Sequence, residues 1–424
     1  MYKSIRSATI LMACAAVLCS VTTFAAEDSA RSRPTFYKDV LPILQDNCQV
    51  CHRPSGNNIM GMVAPMAFMT YQEVRPWSKA IAKQVQAKKM PPWHASEDLH
   101  GVFKNERTLT AAEIDTLLRW AETGAARGKS TDAPAQRKFP QSDGYAMGEP
   151  DLVVGFPEPL HVEDSWGDMY RTVTSRITKE MLPEDRWIQA MEFKPGSEAV
   201  HHIVIFTSSK RESLGFGQGM LGGMGPGTDG TTFPEGYGRL LESDSSIMFN
   251  MHYHKEAGPG TGMWDDSEIA FKFHDKPVEH DVSWGAVGTY SFSIPPNTSN
   301  FLISASETFP EDTLFLALFP HTHLRGTASK YTAYYPDGTS EVLLDVPNYD
   351  FNWQTNYVFE EPKFIPAGTR VEVSMWYDND AKRAERTGIN PNRAVRFGNP
   401  TTDEMMFGWI DYTDAKPMKS GGTD

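Results

Sequence analysis

Three close-set groups of histidine are the residues of this chain best suited to chemistry: His201 and His202 in AVHHIVIF, His252 and His254 in NMHYH, and His321 and His323 in PHTHLRG. A neutral imidazole offers one ring nitrogen to a transition metal, and a thioether sulfur joins imidazole in sites that favour Cu(I). The 424 residues include four cysteines, of which only Cys48 and Cys51 lie beyond the first 26 positions. With no third cysteine to supply a thiolate, a blue-copper centre is excluded, and imidazole with thioether is the donor set that remains. Zinc is the common alternative for a histidine cluster, but it would usually recruit a carboxylate or thiolate.

A second kind of chemistry is written in CQVCH, Cys48 to His52. CxxCH is the attachment signature of c-type haem: two thiols add to the vinyl groups and the histidine takes one axial position. A redox dithiol or half a zinc site is the competing reading. The sixth ligand of an electron-carrying haem should be a soft donor, and Met60, Met62, Met66, Met69 and Met90 compete for it. Met90 is preferred, because KMPPW puts it on stiff backbone where two prolines stop a helix containing Trp77, Ile81 and Val85.

Elements must carry these groups. The run Thr313 to Phe319 has a strand's length and composition, so His321 and His323 share a face. Adjacent His201 and His202 face opposite sides of a regular strand. Both reach one metal only at a strand end or bulge, or through the nearer ring nitrogen; otherwise one is core and one surface. Upstream, Phe36, Val40, Leu41 and Leu44 keep a helical period. Thr110 and Glu113 make a capping box before Ile114, Leu117, Leu118 and Ala121, with Gly124 as the stop. Residues 129–149 read as a linker. Beyond them short alternating segments take over, with Tyr331 to Tyr335 and Glu341 to Leu344 as a hairpin and Arg370 to Tyr377 as a further strand. The glycine-rich Gly215 to Gly230 lacks the context of a phosphate loop and reads as a surface loop, or as a cover over a cleft. His94, His100, His161, His274 and His280 stand alone and read as ordinary core or surface residues.

Composition bounds the class. Residues 1–26 carry Lys3 and Arg6, an apolar run and small residues at the end, as a secretory signal does. The expectation is a periplasmic or secreted protein with no membrane span once the signal is removed. Removing the signal takes the formal charge from −14 to −16, which argues against nucleic acid as a partner.

HHIVIF, MHYH, PHTHLRG and DEMMFGW (Asp403 to Trp409) occur in the same order as in the copper type II, ascorbate-dependent monooxygenases, the family of peptidylglycine α-hydroxylating monooxygenase and dopamine β-hydroxylase, and the chain resembles that family from about Glu149 onward. The resemblance implies that His201, His202 and His252 hold an electron-storing copper. It implies that His321, His323 and Met405 hold the copper where oxygen binds and substrate is hydroxylated. It assigns His254 no metal role. The stretch before it resembles a class I-like cytochrome c domain.

Together these imply a multidomain chain: a small all-α cytochrome c domain (33–128), the linker, and two all-β, jelly-roll-like sandwich domains (150–283 and 284–424). The cofactors implied are two copper ions and one covalently bound haem c, held by Cys48, Cys51, His52 and Met90. The activity implied is hydroxylation of a C–H bond with O₂, with electrons from an ascorbate-like reductant or redox protein passing through the haem. A non-catalytic haem and copper electron-transfer protein is the alternative. Where the peptide-amidating enzyme holds its substrate's carboxylate, this chain has Phe319, Phe407 and Trp409. These form either an aromatic pocket for a small apolar or aromatic substrate or part of the core.

Overall fold

The structure is a computed structural model and describes residues 33–53, 64–139, 144–208, 219–225, 228 and 230–418. The expected signal segment 1–26, Met60, Met62 and residues 215–218 of the glycine-rich stretch lie outside the described residues.

The expected architecture, an all-α cytochrome c domain followed by two sandwich domains, is corrected by the structure. Among the described residues the chain is mostly β, with 39% in strands and 15% in helices. Among the described residues of 33–128 there are four short α-helices, Leu41–Asn47, Tyr71–Val74, Ser78–Gln86 and Ala111–Glu122, and no sizeable helical domain is evident among them. They close over a small core that includes Phe36, Leu44, Val85, Leu117 and Trp120. Trp77, read as part of the helix with Ile81 and Val85, lies in the turn Arg75–Trp77 just before it and is 42% exposed.

One reason for the departure is that part of this stretch belongs to the β body. Phe103 bridges Phe359, Ser96 N–H donates to the Asp345 carbonyl, and Lys104 N–H to that of Val358. Trp93, Leu99 and Val102 pack on the same apolar core as Tyr357 and Phe359. These side chains follow no helical period because strands, not helices, cover them.

Two sheets enclose the first large core. One runs Leu152–Gly155, Glu268–Phe273, Arg186–Lys194, Tyr237–Leu241, His280–Asp281; the other runs Asp168–Arg176, Ser246–His254, Val200–Thr207, Met220–Met224. Part of the glycine-rich stretch, read from sequence as a loop, is therefore a strand. Gly223 is needed there, since a Cβ would come within 3.1 Å of the Trp284 ring and 3.0 Å of a carbonyl. The second large core lies between Ser283–Gly288, Phe407–Asp414, Thr313–His321, Tyr357–Ile365 and Thr298–Phe309, Thr369–Asn379, Gly326–Tyr334, Ser340–Val346. In Thr369–Asn379 alternate residues are buried, and Val371, Val373, Met375 and Tyr377 all point inward. The C-terminal region is not purely β either: Ala381–Thr387 is a helix capped by Asp380.

The two halves interlock. A register shift between Phe315 and Ala317 turns Leu316 out of its own core and into the first one. The Arg239 guanidinium reaches across to the Asp411 carboxylate at 2.6 Å and also donates to the carbonyls of Leu221 and Val282.

Candidate metal centre

Strand register brings the histidines together. Val200–Thr207 pairs with Ser246–His254, and a register shift between Val200 and His202 sets His202 opposite His252. That bulge settles the question left open by sequence, because the extra residue lets adjacent His201 and His202 turn toward one site. Potential ligand atoms of His201, His202 and His252 all lie within 4.8 Å of one another.

His252 is fully buried. Its Nε2–H donates to Asp168 Oδ1 at 2.5 Å, which leaves the Nδ1 lone pair to face His202 Nδ1 at 3.2 Å. Two nitrogens each about 2.0–2.1 Å from one metal lie roughly 3.2–3.4 Å apart at near-tetrahedral angles, so the separation suits a shared ion. Both ring nitrogens of His201 are buried with no hydrogen-bond partner. An orphaned buried imidazole costs free energy unless something binds it. The donor set therefore fits a metal.

The second group sits beside the first. His202 and His321 have ring centroids 6.0 Å apart, and His321 and His323 are 5.4 Å apart. His321 Nδ1–H donates to Gln354 Oε1 at 2.8 Å, and His323 Nδ1 lies 3.3 Å from the Asp403 carbonyl. His323 Nε2 is buried and unpartnered. In each ring one nitrogen is engaged and the other is left over, which is how metal-binding histidines are usually held. Phe351 stacks on His201 at 4.6 Å and lies 6.1 Å from His323, so one ring touches both groups.

Met405 precedes the strand Phe407–Asp414 and is half-buried. Its backbone is held at both ends: Tyr377 Oη–H donates to its carbonyl at 2.8 Å, and its N–H donates to Glu404. Glu404 also accepts from the N–H groups of His323 and Arg325, tying the HxH turn to the segment that bears the thioether. His254 is exposed at the strand end, its ring 5.9 Å from His201.

Burial dominates the electrostatics. It pushes His201 down to about 3 and His321 down to about 4, helped by neighbouring imidazoles, and holds His202 and His323 well below the usual imidazole range. Despite its partial burial, hydrogen bonds from His252 and Thr401 hold the Asp168 carboxyl well below its usual range. Neutral imidazoles are the ligand form, so the cluster needs no deprotonation before binding a metal at neutral pH.

The same burial makes a stability prediction for the metal-free chain. An unfolded imidazole titrates near 6.5, whereas buried His321 stays neutral down to about 4. Between those values the unfolded state binds more protons, so stability is complete above pH 6.5 and falls as pH drops. At pH 5 His321 alone is expected to cost about 2 kcal/mol relative to pH 7. Denaturant midpoints of metal-free protein at the two pH values measure it, and equal midpoints would contradict the assignment.

The aromatic residues proposed for substrate lie on this edge of the sheet. His321 is paired with Phe407 and Phe319 with Trp409 across the ladder, and directly paired residues share a face. Phe319 stacks along His321 at 6.3 Å. It also lines a cleft with Trp284, Met191, Asn356 and the Arg239–Asp411 pair. Phe407 is 4% exposed, packed against Tyr290, Phe397 and Trp409, so it contributes wall rather than open surface.

CQVCH forms one helical turn: Cys51 and His52 N–H both donate to the Cys48 carbonyl. His52 Nδ1–H donates to the Met66 carbonyl at 3.1 Å and its ring stacks on Phe68 at 4.2 Å, so Nε2 is the nitrogen that would be left to hold a haem iron. Burial, with Cys51 and Glu113 adding to it, pushes the Cys48 thiol up to about 12. A redox dithiol needs an accessible thiolate, so this environment fits thioether attachment better. Met90 is 36% exposed after the helix Ser78–Gln86, whereas Met66 and Cys48 both pack against the small helical core.

Sequence reasoning missed the residues that orient the rings. Asp168, Gln354 and Phe351 carry no local signal, since each acts only through a partner far along the chain. Glu404 stands inside the quoted DEMMFGW, yet only its three backbone contacts show its task.

No family model matches this chain, and no curated protein matches it. Among solved structures, the VP2 subviral particle of infectious bursal disease virus is 10% identical over 62% of this chain and 71% of its own, with a TM-score of 0.20. The major capsid protein P2 of bacteriophage PM2 is 9% identical over 64% of this chain and 98% of its own, with a TM-score of 0.24. At such scores these likenesses carry no argument. Among the described residues, no helix is long and apolar enough to cross a membrane.

Proposed function

We propose that the chain is an exported copper-dependent monooxygenase that hydroxylates a C–H bond of a small apolar or aromatic substrate with O₂, drawing electrons through a covalently attached c-type haem. The observation that carries it is the convergence of buried imidazoles with orphaned ring nitrogens, His201 on one side and His323 on the other. The order of the four motifs, set out above as a resemblance, supports copper over zinc.

In this reading His201, His202 and His252 hold one ion and His321, His323 and Met405 the other. Copper in such imidazole and thioether surroundings supplies one-electron redox and oxygen chemistry. Asp168 and Gln354 fix which nitrogen of His252 and His321 faces the ion, so the rings need not reorganise. Phe351 covers both groups, and with the apolar walls of Phe319, Trp284 and Trp409 it keeps bulk water from the reacting face. The overall conversion takes R–H, O₂, two electrons and two protons to R–OH and water. Cys48, Cys51 and His52 would carry the haem, and an ascorbate-like reductant or a redox protein would supply it.

The test combines metal analysis of the full chain with rapid mixing. Two copper ions and one haem per chain are expected, with one hydroxylated product appearing per O₂ consumed and ferrous haem reoxidising meanwhile, two one-electron oxidations for each product. Copper and haem with no product under any substrate would leave an electron-transfer protein. Coppers that reoxidise without drawing on ferrous haem would remove the haem from the route.

A further inference from the structure

We infer that Asp168 is a positioning residue shared by both imidazole groups: one carboxylate orients His252 and, through Thr401, also sets the segment that leads to Met405. Copper as the ligand rests on the reading above; the contacts do not.

Asp168 opens the strand Asp168–Arg176 in the first half of the molecule and is paired with His254, so it stands at the ladder's end beside the histidines. Its Oδ1 accepts the His252 Nε2–H at 2.5 Å. Its Oδ2 accepts twice from the second half, from Thr401 N–H at 3.1 Å and from Thr401 Oγ1–H at 2.7 Å. Thr401 is buried. Two residues on, the Asp403 carbonyl meets His323 Nδ1, and Glu404 then holds the N–H groups of His323 and Met405.

Two sets of hydrogen bonds, His252 to Asp168 to Thr401 and Asp403/Glu404 to His323, are thus joined by the short covalent segment 401–404. Bonds to an ionised acceptor are among the stronger ones in proteins, and here both oxygens of one carboxylate are engaged, one for each half. A shift of Thr401 would move the Asp168 plane and with it the His252 ring. The placement of His252 relative to His323 would then depend on this tie. Tyr170 stacks flat on His252 at 4.3 Å, which limits ring motion to the plane in which Asp168 steers it.

The test uses the metal-free full chain with ¹⁵N-labelled histidine, followed by titration with Cu(I) against a competing chelator. In the wild type the Nε2–H of His252, bonded to a carboxylate, is expected to be the most strongly hydrogen-bonded, beside the weaker Nε2–H of His274, which donates to the Tyr237 carbonyl at 2.8 Å. Thr401→Val should shift the ring signals of both His252 and His323, while Thr401→Ser, which keeps the hydroxyl, should restore them. Asp168→Asn should abolish the His252 Nε2–H signal and weaken one copper equivalent about 10- to 100-fold, as loss of an outer partner of a metal-bound histidine does. If Thr401→Val moves the His323 signal alone, or moves neither, the shared role is overturned. Wild-type chain that binds no copper but shows both coupled shifts would sink the copper reading and leave the positioning role standing.

Discussion

Replacing His321 by alanine is expected to reduce the copper content from two ions per chain to one and to lower hydroxylation by more than about 100-fold, beyond what loss of an outer-sphere partner costs. Its ring is buried, is held at Nδ1 by Gln354, and stands between His202 and His323. No neighbouring donor can replace its free nitrogen, because the one free nitrogen of His323 already serves the same site and His202 faces His252. The three-histidine group should still load, so copper measured per chain separates this outcome from unfolding. Full copper content with normal turnover would show that His321 is a core residue and nothing more. Stability at neutral pH should fall modestly, by about 1–3 kcal/mol, since Gln354 Oε1 loses its partner.

The largest expected effect on stability lies away from the histidines. Arg239→Ala should destabilise the chain by about 3–5 kcal/mol, because it leaves Asp411 charged and uncompensated in a buried position. Both side chains are almost fully enclosed, and the guanidinium also serves the carbonyls of Leu221 and Val282. Those three acceptors come from both halves, so the loss should loosen the contact between them. Arg239→Met combined with Asp411→Leu is expected to recover only the part of the loss that comes from the unpaired Asp411, since a buried ion pair contributes little over a well-packed apolar pair while the carbonyls of Leu221 and Val282 still lack their donor. Urea unfolding of the single and double variants measures it. A single variant within about 0.5 kcal/mol of wild type, the range of an ordinary surface change, would mean that water reaches the pair.

Local elements were legible where a residue's neighbours in sequence are also its neighbours in space. The Thr110/Glu113 capping box opens Ala111–Glu122 as read, and the turn Pro336-Asp337-Gly338 joins Gly326–Tyr334 to Ser340–Val346 as a hairpin. The strand before the HxH pair runs Thr313–His321. The helical cytochrome c domain failed as an expectation because periodicity in the short segments around Leu41 and Ile81 says nothing about what covers 93–106. Those residues pack on strands more than 240 positions away. The glycine-rich strand was hidden for a related reason: Gly222 and Gly223 have no side chains to alternate, and the absence of a Cβ there is what lets Met191 and Trp284 come close while the backbone pairs with Val200–Thr207.

By itself the sequence determined the donor types and the local geometry. It carried imidazoles at HH, HxH and HYH, a CxxCH turn, and the strands and caps beside them, because propensity and side-chain alternation act over a few residues. Only the tertiary structure decided that a bulge after Val200 turns both His201 and His202 to one side, and that the two histidine groups lie 6.0 Å apart at His202 and His321. It also decided which nitrogen of each ring is spoken for. Those outcomes depend on hydrogen bonds from Asp168, Gln354 and Asp403, residues 33 to 84 positions from their partners, and contacts at that range form only once the sheets have found their register.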